Sequence, residues 1–197
     1  ALMDQYFFQR LPPAGNLFLY MGAVSSITTL NRSLERCVMY EEADLMDIIM
    51  EYAEHNDWPC NRPDESTVTI EAKGVFTTYI ICCSRDRASS LIHLLCSFEC
   101  QYPDRFVSRL RHLVELCTKE LWRGTFVRID TPSKRQISYK YGLILTDGID
   151  REEVMDELLT FMPQVCDYFY PAFLAVASGE APAIAFKQVI AETLGTA

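Results

Sequence analysis

The chain has 197 residues, 49% of them hydrophobic, and a net charge of −9 from 18 Lys+Arg against 27 Asp+Glu. That length suits one domain with room for an extension, and it is enough to bury about 70% of the unfolded surface without help from a disulfide or a metal. The acidic balance argues against generic binding to nucleic-acid phosphate, and no stretch approaches the ~20 apolar residues of a membrane helix.

The charge is unevenly placed. Residues 41–74 hold ten acids and two bases, a balance of −8, and residues 146–197 hold nine acids and two bases, a balance of −7. Between them, residues 123–145 hold five bases and one acid, or +4. The first eight residues lack a basic start and carry too short an apolar run for a signal peptide, so the expectation is a cytoplasmic protein. In that reducing setting the eight cysteines read as small buried hydrophobes instead of a disulfide framework.

Residues 1–40 read as an N-terminal extension or arm, broken by Leu11-Pro-Pro-Ala-Gly-Asn16, and residues 41–197 as the folded domain. Glu41, Glu42 and Asp44 open a helix whose apolar face is Leu45, Ile48, Ile49 and Tyr52. It ends before Trp58-Pro59. Thr67 to Ala72 alternates as a strand, Lys73-Gly74 turns, and Val75 to Ser84 is apolar on both faces. Leu91 to Phe98 reads as another strand buried on both faces, with His93 inside it. These three make an antiparallel meander.

A second helix runs from about Pro103 to Trp122. Phe106, Leu110, Leu113, Val114, Cys117 and Leu121 form its core stripe, while Arg105, Arg109, Arg111 and Glu115 are solvated. Two strands follow. Val127 and Ile129 oppose Phe126 and Arg128 in the first, and in the second Ile137, Tyr139, Tyr141, Leu143 and Leu145 share one face. Asp150 then caps a long helix with Glu153 in its first turn. Pro163 and Pro171 are expected to kink or divide that helix, Gly179 to close it, and Pro182 to start a short last helix. The order α-β-β-β-α-β-β-α-α predicts an α+β fold, an antiparallel sheet of about five strands with helices packed on one face.

Three stretches resemble the YbjN family of bacterial domains, which adopt a fold like that of the type III secretion chaperones. They are the helix leading through Trp58-Pro59 into the meander, the alternating strand ending in Leu145-Thr-Asp-Gly148, and Asp167-Tyr-Phe-Tyr-Pro171 running on to Gly179, with Pro182-Ala-Ile-Ala185 after it. The resemblance spans roughly residues 41–195. It implies a sensory-transduction regulator, with no enzyme activity, no cofactor and no catalytic residue to carry over.

The residues themselves offer few chemical constellations. Cys82, Cys83, His93, Cys96 and Cys100 lie close in sequence, but a zinc site needs four converging ligands, and alternation along a strand sends Cys82 and Cys83 to opposite faces. His55 and Cys60 flank the Trp58-Pro59 turn, with no third orienting group and no glycine-rich oxyanion loop. Neither dinucleotide nor P-loop glycine patterns occur. The acids Glu41, Glu42, Asp44, Asp147, Asp150, Glu152 and Glu153 sit where helix starts need them.

What remains is a surface. Arg128, Ser138 and Lys140 are assigned to the sheet face opposite the tyrosines, free for a protein partner. The expected function is a non-enzymatic interaction module, a regulator or chaperone-like binding protein, with an unidentified protein partner and a homodimeric state, binding neither nucleic acid nor membrane. The competing expectation is a small metal- or thiol-dependent enzyme or redox sensor using the Cys82–Cys100 region.

Overall fold

The computed structural model describes residues 44–86, 88, 91–131, 134–144 and 150–194. The expected arm at residues 1–40 and the Leu145-Thr-Asp-Gly148 turn lie outside the described residues. Helix α1 spans Leu45–His55 and leads into strands β1 (Cys60–Asp64), β2 (Thr67–Lys73), β3 (Thr78–Asp86) and β4 (Leu91–Glu99). A 3-10 turn at Asp104–Phe106 precedes α2 (Val107–Glu120). Strands β5 (Thr125–Asp130) and β6 (Arg135–Ile144) follow, then α3 (Arg151–Ala177) and α4 (Pro182–Leu194).

The strands form one antiparallel sheet in the order β1-β2-β3-β4-β6-β5. It holds six strands where the residue pattern predicts about five. The additional strand is β1, whose sequence Cys60-Asn-Arg-Pro-Asp64 has no alternation to announce it. Its place comes from its surroundings. The Glu71 N–H donates to the Pro59 carbonyl at 2.8 Å, and the Arg62 guanidinium donates to Asp44 at 2.7 Å and Asp47 at 2.5 Å on α1. Asp44 therefore holds β1 and does not cap α1 with its side chain.

Direct cross-strand partners share a face, which separates the sheet into two surfaces. One row runs Ile70–Ile81–Cys96–Tyr139–Phe126 across five strands, and every member is at most 2% exposed. This inner face is covered by helices: α3 lies over β4 and β6, α1 against β2, and α2 against β5. An aromatic lattice fills the space between. Phe126 meets Tyr139, Phe169 and Phe173 at ring distances of 5.3–5.5 Å, and Phe98 meets Phe173 at 5.6 Å. Such rings bury large apolar areas in edge-to-face or tilted geometry. Helix α4 joins this layer through Phe186, stacked on Phe169.

Helix α3 is about 40 Å long at 1.5 Å per residue. It runs through both prolines undivided. Burial of its core stripe, including Met162, Val165, Cys166, Phe169 and Phe173, outweighs the backbone bonds that Pro163 and Pro171 remove. Its ends follow the residue pattern. The Asp150 carboxylate accepts from the Glu152 and Glu153 N–H groups at 3.1 and 3.2 Å. At the other end Gly179 has φ +115°, and the N–H groups of Gly179 and Glu180 return to the carbonyls of Val176 and Ala175. That is the two-bond closure for which a positive-φ glycine is favoured.

Candidate functional site

The outer face of the sheet carries no described helix. Across its central strands the outward-facing positions are Ile80, Cys82 and Ser84 from β3, His93, Leu95 and Ser97 from β4, and Ser138, Lys140 and Gly142 from β6. Most are half-buried, shielded only by their neighbours in the sheet. The charges around it are Glu71 and Lys73 on β2, Asp86 at the end of β3 and Glu99 at the end of β4, and Lys140 is the one charge on this face between the ends of β3, β4 and β6. Cys82 lies opposite Leu95, and Ile80 opposite Ser97.

The three residues assigned to this surface divide. Lys140 is exposed on it. Ser138 is on it but fully buried, its hydroxyl 2.8 Å from that of Ser97 across the strand pair. Two small side chains side by side sink beneath their longer neighbours, and each satisfies the other. Arg128 is not on this face. It pairs with Ile137, so it points to the helix side, where it donates to the Val107 carbonyl at 3.2 Å and meets Asp130 at 3.2 Å. The alternation within β5 had the right period but the wrong phase relative to β6.

His93 also moves. It stands half-buried on the outer face, not inside the core, because Ser84 is its cross-strand partner. Cys82 shares that face. Cys83, Cys96 and Cys100 are buried, the first two pointing inward. The pleat therefore splits the cluster, and among the described residues no three His, Cys, Asp or Glu side chains converge as a metal requires.

The seven described cysteines are free thiols. Burial pushes the Cys100 thiol up to about 11, and it pushes Cys83, Cys96 and Cys117 up as well. A reactive cysteine needs the opposite setting, exposed and electropositive. Alkylation of the native protein at neutral pH, followed by peptide mass spectrometry, is expected to label Cys60 and Cys82 well before Cys83, Cys96, Cys100, Cys117 or Cys166. Fast labelling of any of these five would reinstate thiol chemistry in the core.

Two open depressions lie beside α1. One, of about 550 Å³, is lined by Asp44, Arg62, Glu65, Ser66 and Arg85, whose arginines are held by Asp44 and Asp47. The other, of about 390 Å³, lies between α1 and α3 and is lined by Glu51, His55, Glu152, Glu153 and Asp156 around Ile48, Tyr52 and Met155. Glu152 and Glu153 here flank the helix start read in the sequence. Neither depression sets a nucleophile against a base.

The residue pattern also missed a fixed point. Asp167, on α3, accepts from the Val75 N–H at 2.8 Å, the Phe76 N–H at 3.3 Å and the Tyr79 hydroxyl at 2.6 Å. It ties the β2–β3 turn to the long helix. Burial, then the bond to Asp167, pushes the Tyr79 hydroxyl well above the usual range. Gly74 is required here, since a Cβ at that position would lie 2.1 Å from the Tyr79 ring. The turn presents Phe76 at the surface, stacked on Tyr170 at 5.7 Å.

A six-stranded antiparallel sheet with helices on one face, its other face bare of described helices, defines an α+β domain whose distinguishing surface is a sheet. The comparisons identify the family. The model of the YbjN family, described as "Putative bacterial sensory transduction regulator", matches residues 46–175, and the chain belongs to that family. Among solved structures it is similar to the crystal structure of YbjN from E. coli, reported as "a putative transcription regulator". That similarity has 10% sequence identity and a TM-score of 0.45, covering 62% of this chain and 88% of the other. A comparison with curated proteins finds no match. No described helix is long and apolar enough to cross a membrane.

Proposed function

We propose that this chain is a regulator that works by binding protein, that the outer face of its sheet is the contact surface, and that a second copy of the chain occupies it. The observation that carries this reading is the charge pattern. Between the strand ends of β3, β4, β6 and β5 the face carries one charge, Lys140; it is half-exposed and studded with Ile80, Cys82, Leu95 and Val127, while Glu71 on β2 and the charges at the strand ends stand around it. Protein interfaces have this arrangement, a charge-depleted centre inside a polar rim. An antiparallel sheet with helices on one side has its other side available for it.

The edges of the sheet favour the face over strand addition. Strand β1 is five residues long, contains Pro63 and is interrupted by a register shift between Asn61 and Asp64. On β5 the Phe126 N–H is taken by the Thr118 hydroxyl at 3.1 Å, and the Thr125 hydroxyl donates to the Phe126 carbonyl at 3.3 Å. Both are devices that blunt an edge.

Leu95→Asp places a charge in the middle of the face at a position already half in water, so the fold is expected to survive. In sedimentation equilibrium the wild-type chain is expected at twice its monomer mass and Leu95→Asp at the monomer mass, with unchanged circular dichroism. A wild-type chain that stays monomeric at the highest concentration reached would refute self-association through this face.

A further inference from the structure

The two most acidic segments of the chain, residues 41–74 with a balance of −8 and residues 146–197 with a balance of −7, lie far apart in sequence. They meet in the groove of about 390 Å³ between α1 and α3. Helix α1 lines it with Ile48, Glu51, Tyr52 and His55, which recur as i, i+3, i+4 and i+7 and so share one face. Helix α3 lines it with Glu152, Met155 and Asp156, again one face, and with Glu153 beside them. The Tyr52 hydroxyl lies 2.8 Å from that of Thr160 and fixes the two helices to each other. Half-buried Ile48 and Tyr52 and buried Met155 make an apolar floor, and exposed Glu51, Glu152, Glu153 and Asp156 make the rim.

That rim is uncompensated. No described lysine or arginine lines the groove, and His55 is its one basic side chain. The cations that reach these two helices are engaged elsewhere: Arg62 holds Asp44 and Asp47, Arg123 holds Glu157, and Arg151 has a partner of its own. Glu152 and Glu153 favour the dipole at the start of α3, but that effect fades beyond the first turn. It accounts neither for Glu51 in the middle of α1 nor for Asp156 in the second turn of α3. Glu152 and Asp156 are like charges one helical turn apart, a spacing that destabilises a helix. Residues that work against the stability of their own element, with no local gain, mark a surface kept for binding.

We propose that the α1–α3 groove binds a basic amphipathic helix of a protein partner. Its apolar side chains rest on Ile48, Tyr52 and Met155, and its lysines or arginines meet Glu51, Glu152 and Asp156. The form of the occupant follows from the walls. Both are helices whose backbone groups are bonded internally, so the groove offers an extended strand no ladder to join, whereas a helix arrives with its own backbone satisfied and docks by side chains. The same rim repels acidic segments and nucleic-acid phosphate. The groove lies on the helix side of the sheet, opposite the self-association surface, and the proposal stands whether or not that surface pairs.

The test is fluorescence anisotropy on the full chain at low salt, with a labelled peptide of leucine and lysine patterned as an amphipathic helix. Glu51→Gln with Asp156→Asn is expected to weaken binding about fivefold, from two exposed charge contacts. A variant of the same net charge, Glu115→Gln with Glu120→Gln on α2, is expected to change it by less than about twofold. Leu95→Asp is expected to bind as the wild type does. A second peptide keeps the lysines and replaces the leucines by serine, and it is expected to bind more weakly because it leaves the floor empty. Absence of binding, equal loss in the two charge variants, or equal affinity for the serine peptide would each overturn the proposal. All substituted side chains are exposed or, for Leu95, half-exposed. Thermal melts followed by circular dichroism establish that each variant is folded.

Discussion

Asp167→Ala is expected to destabilise the domain by about 3–5 kcal/mol. The carboxylate receives three donors: two backbone N–H groups of the β2–β3 turn and the hydroxyl of Tyr79, a fully buried side chain. Hydrogen bonds to a charged acceptor contribute about 1.5–3 kcal/mol each, less what water returns to the exposed donors. Alanine leaves the Tyr79 hydroxyl without its acceptor inside the fold and frees the turn that carries Phe76. Asp167→Asn keeps one carbonyl oxygen and the side-chain volume, so about half the loss is expected. Tyr79→Phe removes only the hydroxyl, with an expected cost of about 1–2 kcal/mol. Urea unfolding gives the three values, and the alanine variant is expected to melt about 10 °C lower, since about 1 kcal/mol shifts the midpoint by 2–4 °C at this size. A loss below about 1 kcal/mol for Asp167→Ala would mean the turn is held by something else.

Asp167 also marks where the residue pattern stops being legible. The Asp167-Tyr-Phe-Tyr-Pro171 stretch stands out in the chain and carries part of the family resemblance. Its role depends on Val75, 92 residues earlier, and nothing local in either segment encodes that pairing. The elements that could be read are those whose signal is local. Tyr139 and Ile137 alternate with solvent-side residues within one strand, Leu110, Leu113 and Cys117 recur within one helix, and Asp150 caps the helix it begins. Strand β1 could not be read, because a polar pentapeptide becomes a strand through Arg62 and the carboxylates of α1. Arg128 was misplaced for a related reason. A two-residue period tells which side chains of β5 share a face, but only the register with β6 tells which face that is. The arginines of α2 were legible as solvated positions.

Alkaline pH is expected to unfold this domain far sooner than acid contacts alone suggest. Cys82, Cys83, Cys96, Cys100 and Cys117 all have thiols pushed up by burial, and burial also raises the hydroxyls of Tyr52, Tyr79, Tyr102 and Tyr139. The sign follows from proton counting. Above the unfolded value of 9.0 for a thiol the unfolded chain has released its proton while the folded chain retains it, so stability falls as pH rises. Cys100, raised from 9.0 to about 11, accounts for about 1.4 kcal/mol lost per pH unit across that window. The other thiols add to the slope from the same starting point, and the tyrosines join from about pH 10. Urea midpoints measured in a reducing buffer are expected to be flat from neutrality to about pH 8.5, then to drop steeply. Cys100→Ala removes one titrating group, so its curve should run shallower than the wild type by about 1.4 kcal/mol per pH unit between 9 and 11, whatever the substitution costs at neutral pH. Parallel curves for the two proteins would mean that Cys100 ionises in the folded state as readily as in water. The core around Phe173, whose carbonyl lies 3.9 Å from the Cys100 sulfur, would then be open to solvent.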